Sequence, residues 1–283
     1  MTTDHANRSF RDAQEDIQST SVVPDTPQTR SPAYRLAYDD LDFILRDDLR
    51  PVRLQLELLK PEIMMTEQGV DSTIVLFGGA RIQPPERADS ARTPDIALMS
   101  RYYEEARRFA RIMTERSLER SGGREDIIVT GGGPGVMEAG NRGAADAGGK
   151  SIGLNIVLPH EQAPNPWVTP ELCFNFHYFG VRKMHFLMRA RAIAIFPGGF
   201  GTLDELFEAL TLIQTGRMRQ VPFLLFGSEF WAKVINFDAL ADVGTISRED
   251  LTLFRIVDTA DEAIEAIDSW DGAGKKREFV PED

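Results

Sequence analysis

The chain has 283 residues, enough for one large α/β domain or two small ones around a sizeable hydrophobic core. Hydrophobic residues make up 42% and charged residues 27%, an ordinary globular composition, and no apolar run approaches the ~20 residues of a membrane helix. The net charge of −12 argues against a general nucleic-acid binder, which needs clustered Lys and Arg, but not against one small anion held by helix N-termini and a single arginine. The lone Cys173 allows no internal disulfide, and the polar residues 1–16 contain no apolar signal core; the expected location is cytoplasmic.

Residues 1–30 mix Asp, Thr, Gln, Ser and Pro with few large apolar residues and are expected to form a disordered tail. Residues 31–70 read as an N-terminal helical extension. Ser31-Pro32 suits the N-cap and first position of a helix running through Leu36, Leu41, Ile44 and Leu45. A second helix follows Pro51, with Val52, Leu56 and Leu59 spaced for one buried face. This extension is expected to pack on the core or on a neighbouring subunit.

Residues 71–270 alternate short apolar runs with longer helical stretches. Strands are predicted at 73–78, 127–130, 152–158, 174–179, 192–196, 221–226 and 254–257. Helices are predicted at 95–116, from the first glycine cluster to Ala147, after Gly180, after the second glycine cluster, and at 261–270. Residues 271–283 read as a C-terminal tail. The alternation predicts an α/β fold, a doubly wound and mainly parallel sheet of Rossmann-like type, with ligands bound beyond the carboxyl ends of its strands.

Both glycine clusters fall at that edge. Ile127-Ile-Val-Thr130 runs straight into Gly131-Gly132-Gly133-Pro134-Gly135, and Ala192-Ile-Ala-Ile-Phe196 runs into Pro197-Gly198-Gly199-Phe200-Gly201-Thr202. Glycine lets the backbone approach a ligand, and the helix that follows offers unpaired N–H groups to an anion. One such turn is equally well a tight βα connection; two at one edge point to a phosphate site. The common nucleotide fingerprints fail. Counting Gly-x-Gly-x-x-Gly from Gly131 ends on Val136, and from Gly133 on Glu138. Gly149-Lys150-Ser151 lacks the earlier P-loop glycine, since position 144 is alanine, and it ends a helix.

Gly131-Gly-Gly-Pro-Gly-Val-Met-Glu138, Arg182-Lys183 and Pro197-Gly-Gly-Phe-Gly-Thr-Leu-Asp-Glu205 resemble the motifs of the LOG (LONELY GUY) family, Rossmann-like phosphoribohydrolases often mislabelled as lysine decarboxylases. The resemblance covers about residues 72–260. The stretch Leu154-Asn-Ile-Val-Leu-Pro-His-Glu-Gln162 is similar to the longer bacterial branch. The family resemblance implies hydrolysis of the N-glycosidic bond of AMP or a cytokinin nucleotide to free base and ribose 5-phosphate. It implies at least a homodimer, with higher homo-oligomers open, and the chemistry itself requires no cofactor. Related folds also serve as non-catalytic nucleotide or molybdenum-cofactor carriers and sensors, which stands as the alternative.

The proposed chemistry builds positive charge on the sugar as the base leaves, and a carboxylate near the anomeric carbon stabilises that charge and positions water. Glu205 is the candidate, and the resemblance gives it that role. Its local alternative is a capping box, Thr202-x-x-Glu205, in a helix that begins at Thr202. Arg182 is the second catalytic candidate and can grip phosphate or contact the leaving base. Gly131, Gly132, Gly133, Gly135, Gly198, Gly199, Gly201 and Thr202 are expected to cradle the nucleotide, with Lys183 assisting. Glu138 either accepts a ribose hydroxyl or simply favours the helix N-terminus. Asp204 and Glu208 are secondary carboxylates. Arg189 and Arg191 read as structural, and Met184 and residues 186–188 as core or interface. His160, His177 and His185 have no metal-ligand spacing, so no metal is expected. No Gly-x-Ser-x-Gly elbow appears, and no motif nominates a pyridoxal lysine.

Overall fold

The computed structural model describes residues 11–159 and 163–272. The chain divides at Lys60 into two compact units. In the first, residues 11–30, expected to be disordered, hold helix α1 (Ala13–Thr20), closed by a capping box between Asp12 and Glu15. The continuous helix expected after Ser31 does not form. Ser31 caps a 3₁₀ turn at Pro32–Tyr34, a second 3₁₀ turn covers Ala37–Asp39, and Asp40 caps the single turn of α2 (Leu41–Ile44). Short oxygen-bearing side chains here bond to nearby backbone N–H groups and restart the chain every few residues.

Helix α3 (Arg50–Glu67) carries Pro61 in its interior, at the division between the units. Val52, Leu56 and Leu59, expected on a buried face, are instead exposed, and the buried residues of α3 are Pro61 and Met65.

The second unit is a sheet of seven parallel strands: β1 (Thr73–Phe77), β2 (Ile127–Thr130), β3 (Ser151–Ile156), β4 (Cys173–Phe176), β5 (Ala190–Ile195), β6 (Phe223–Phe226) and β7 (Arg255–Val257). Their order across the sheet is β4-β3-β2-β1-β5-β6-β7. Successive side chains alternate between two apolar layers. Val75, Phe77, Val129, Leu154, Ile193 and Ile195 belong to one; Ile74, Leu76, Ile128, Ala192, Ala194 and Leu224 belong to the other. Burial on both faces explains why β1 and β2 read as unbroken apolar runs.

The connecting helices are α4 (Pro94–Leu98), α5 (Ser100–Ser121), α6 (Val136–Asp146), α7 (Phe179–Met188), α8 (Phe200–Gln214), α9 (Ser228–Val234), α10 (Phe237–Asp242) and α11 (Ala260–Asp268). Tyr103 and Phe109 of α5 and Ala263 of α11 pack on one face; Phe186 of α7, Leu206 of α8 and Trp231 of α9 pack on the other. The fold is therefore Rossmann-like and doubly wound. From β1 the chain runs outward through β2, β3 and β4, then returns to the other side of β1 as β5. That reversal opens a crevice at the carboxyl ends of β1 and β5. Among the described residues, no helix is long and apolar enough to cross a membrane.

Candidate functional site

Three loops meet at this crevice. Gly78-Gly79 leave β1, residues 131–135 leave β2, and residues 197–199 leave β5. The β1 loop ties the other two together: Gly79 N–H donates to Pro197 O at 2.9 Å, and Val136 N–H donates to Gly79 O at 3.3 Å. Gly135 has φ +71°, and a Cβ there would lie 2.4 Å from Gly79 O, so both backbone conformation and space demand glycine.

Helices α6 and α8 start in these loops without side-chain caps, their N-cap residues being Gly135 and Gly199. Asp, Thr and Asn side chains cap α1, α4, α10 and α11. No side chain occupies the first-turn N–H groups of α6 and α8, of which Val136 N–H is taken by Gly79 O, and both helix dipoles favour negative charge there.

Helix α8 begins at Phe200, two residues before the expected start, so Thr202 is not its N-cap. The capping box at Thr202 and Glu205 does not form. Thr202 is buried, with its hydroxyl against Gly198, and Glu205 lies beyond the first turn, facing α7.

There it meets Arg182. The side chains of Arg182 and Glu205 are 12% and 11% exposed, and Nη1 stands 3.9 Å from Oε1. Arg182 Nε donates to Leu154 O at 2.7 Å, its guanidinium lies 5.1 Å from the centroid of the Phe186 ring, and Nη2 approaches Gly131 so closely that a Cβ would sit 2.7 Å away. Among the described residues, no hydrogen bond reaches the Glu205 carboxylate. Burial pushes this carboxyl up to about 7; the positive charges of Arg182 and Lys183 oppose the rise, and Glu208 and Asp204 add to it. Burial also lowers the affinity of Arg182 for its proton, against the pull of Glu205.

The other candidates sit around this pair. Lys183 bridges α7 to α8 through Asp204 (2.7 Å) and Glu208 (3.0 Å), so its ammonium is occupied by carboxylates. Glu138 accepts from the Tyr103 hydroxyl of α5 at 3.0 Å and pairs with Arg87 at 3.5 Å. Burial pushes the Tyr103 phenol up to about 12. Gly199 and Gly201 border open space. Leu206, Ala209 and Ile213 of α8 are core residues, while Phe207, Met184 and Met188 are exposed.

His185 lies 3.6 Å from Glu62 and its ring packs on Phe176; His177 packs on Tyr178. Arg189 binds Glu62 and Arg191 binds Glu125, both structural roles as expected. His160 lies outside the described residues. Among those described, no three His, Cys, Asp or Glu side chains are grouped to hold a metal ion.

Sequence reading did not single out Gly78-Gly79, although two glycines directly after a buried strand are a visible signal. It also passed over Thr130, Asn141 and Asn165, whose buried side chains support the first glycine loop.

Fold and crevice together define a Rossmann-like α/β protein with glycine-rich loops at its switch point. The family model described as "Possible lysine decarboxylase" matches residues 137–267, a span that includes Arg182 and Glu205. The cytokinin riboside 5'-monophosphate phosphoribohydrolase LOG of Oryza sativa subsp. japonica is 29% identical over 159 residues, covering 56% of this chain and 61% of the rice protein. The Arabidopsis thaliana enzyme LOG4 of the same description is 25% identical, covering 51% of this chain and 67% of its own. Matches thus span about three fifths to two thirds of these relatives' lengths. Among solved structures, the molybdenum cofactor binding protein from the phototrophic bacterium Rippkaea orientalis is 18% identical with a TM-score of 0.47, over 70% of this chain and 96% of that one. The resemblance carried by the glycine motifs is borne out: over about half its length the chain is similar to the LOG phosphoribohydrolases.

Proposed function

We propose that this protein hydrolyses the N-glycosidic bond of a nucleoside 5'-monophosphate, AMP or a cytokinin nucleotide, releasing the free base and ribose 5-phosphate. One observation carries the reading: a buried Arg182–Glu205 pair stands between two glycine loops whose helices begin uncapped. The 5'-phosphate takes the N–H groups of a helix start. The C1'–N bond then breaks with its electron pair going to the base, and positive charge collects on the sugar. The ionised Glu205 stabilises that charge and orients the water whose oxygen bonds to C1'. The proton given up by water passes through Glu205 to the departing base, a relay suited to a carboxyl held near 7. Arg182, fixed by Leu154 and Phe186, aligns the substrate beside Glu205. The names of the rice and Arabidopsis relatives support this substrate class.

The working form is a homo-oligomer. Met184, Met188 and Phe207 give α7 and α8, the helices that carry the pair, an exposed apolar surface suited to a second copy.

Chromatography of a nucleoside-monophosphate panel after incubation tests the activity. Base and ribose 5-phosphate appearing together support it. Nucleotides that raise the melting temperature but are recovered intact would reassign the protein as a binder or carrier.

A further inference from the structure

The segment between β3 and β4 returns to the first glycine loop through one side chain. Asn165, 8% exposed, donates from Nδ2 to Gly132 O and Gly133 O, each at 3.0 Å, and its backbone N–H reaches Gly132 O at 2.8 Å. Its amide orientation is set by its neighbours: Nδ2 also faces Asn141 Oδ1 at 2.9 Å, and Oδ1 accepts the Trp167 N–H at 3.1 Å. Fully buried Asn141 accepts from Thr130 Oγ1 at 2.7 Å and donates to Ser151 Oγ and Ile152 O. Thr130 Oγ1 in turn accepts the Gly132 N–H at 3.0 Å.

Tying the carbonyls has a consequence on the opposite side of the peptide. In a planar trans peptide the C=O of Gly132 and the N–H of Gly133 point in opposite directions. Holding the carbonyl toward Asn165 therefore turns the Gly133 N–H away from it, and among the described residues that N–H has no acceptor. Without the amide, Gly133 O would lose its bond to Asn165 and Gly132 O would keep only the Asn165 backbone N–H, leaving the two carbonyls freer to turn toward an anion, and a carbonyl facing phosphate is repulsive.

We propose that Asn165 is a positioning residue for nucleotide binding: it holds the Gly132 and Gly133 carbonyls toward itself, so that the Gly133 N–H is presented to the phosphate. The proposal rests on reading the crevice as a nucleotide site. Asn165 touches no substrate atom; its effect falls on binding.

Asn165→Asp is the sharpest test, because it keeps the size of the side chain and an acceptor for the Trp167 N–H while replacing the donor with a carboxylate. Calorimetric titration with AMP and with inorganic phosphate, steady-state base release and melting curves are measured for the wild type, Asn165→Asp and Asn165→Ala. Both variants are expected to weaken AMP binding and raise KM by about tenfold to a hundredfold, the loss of one or two hydrogen bonds to a charged group. The kcat is expected to stay within about threefold. A purely structural role would lower the melting temperature and leave the dissociation constant of folded protein unchanged; that result overturns the proposal, as does a fall in kcat with unchanged KM. Should neither variant fold, Asn165→Ser, whose hydroxyl keeps an acceptor for the Trp167 N–H but loses the amide donor to both carbonyls, takes their place, and wild-type AMP affinity in it also overturns the proposal. If the wild type binds AMP without releasing base, the hydrolase reading falls and the dissociation constants still decide the role of Asn165. If it binds neither AMP nor phosphate, both fall.

Discussion

Glu205 and Arg182 stand 3.9 Å apart with both side chains nearly enclosed, close enough to feel each other's charge and too far apart to hydrogen-bond. A structural ion pair with this burial would close to a forked contact and pull the carboxyl down. Here burial outweighs the arginine and the carboxyl rises to about 7. The gap leaves each group with bonding capacity for a third party, as a substrate site requires.

Replacing Glu205 with glutamine keeps the shape and removes the charge. Base release is expected to fall by at least about a hundredfold, the usual scale for losing a group that stabilises transition-state charge. Because no capping box depends on this residue, the fold is retained. Chromatography of AMP incubations beside melting curves checks both parts; a folded Glu205→Gln variant with wild-type turnover would remove Glu205 from the mechanism.

The same variant predicts a pH dependence of stability. The folded value of Glu205, about 7, lies above the ordinary 4.5. The folded chain therefore holds more protons than the unfolded chain between those values. The stability this carboxyl contributes is full below about 4.5 and is lost as pH rises through about 7. The interval corresponds to about 3 kcal/mol at most. Melting temperatures of wild type and Glu205→Gln should converge near pH 4.5, with the variant increasingly the more stable up to pH 8. Parallel curves across that range would show that burial does not perturb Glu205.

Lys183 tunes this carboxyl from one residue beyond Arg182. Its charge lowers the Glu205 value, and it neutralises Asp204 and Glu208, which raise it. Lys183→Met should therefore move the acidic limb of kcat/KM to higher pH, cutting activity at pH 6 more than at pH 8.5. A uniform loss at every pH would instead mean that Lys183 binds substrate directly.

Removing Arg182 tests the other half of the pair. Arg182→Ala is expected to abolish base release, and Arg182→Lys to recover little of it, because an ammonium cannot reach Leu154 O, Phe186 and the crevice together in one planar fork. Equal turnover in Arg182→Ala and the wild type, measured by ribose 5-phosphate production, would overturn the assignment.

Residues 127–130 were predicted as a strand and form one with the same ends, because a strand buried on both faces is written as a continuous apolar run. The glycine loops were legible for a related reason, their pattern being local, whereas Arg182 and Glu205 were nominated through the family motif. What escaped was non-local or set by competing local bonds. Asn165 meets Gly132 across 33 residues of sequence, and nothing in either neighbourhood announces the other. The start of α8 was misplaced because Thr202-x-x-Glu205 fits a capping box, while the structure starts the helix at Phe200 and turns both side chains inward. Val52, Leu56 and Leu59 form a regular stripe, but regular spacing does not say which stripe of α3 is covered.

Two glycines separate a structural requirement from a ligand requirement. At Gly135 a methyl group would lie 2.4 Å from the Gly79 carbonyl oxygen and 2.7 Å from the Ala80 carbonyl carbon, on a backbone with φ +71°. Neither backbone atom can move aside as a side chain could, so Gly135→Ala is expected to lower stability by about 2 kcal/mol or more. At Gly199 φ is −96° and a methyl group would meet nothing within 4 Å. Gly199→Ala should therefore melt at the wild-type temperature. Its methyl group would instead fill space beside the uncapped start of α8, where a phosphate is expected to sit. Raised KM for AMP with unchanged melting identifies Gly199 as a residue kept small for the ligand. Wild-type KM in the folded Gly199→Ala protein would mean that the phosphate is held elsewhere, with the α6 loop as the remaining cradle.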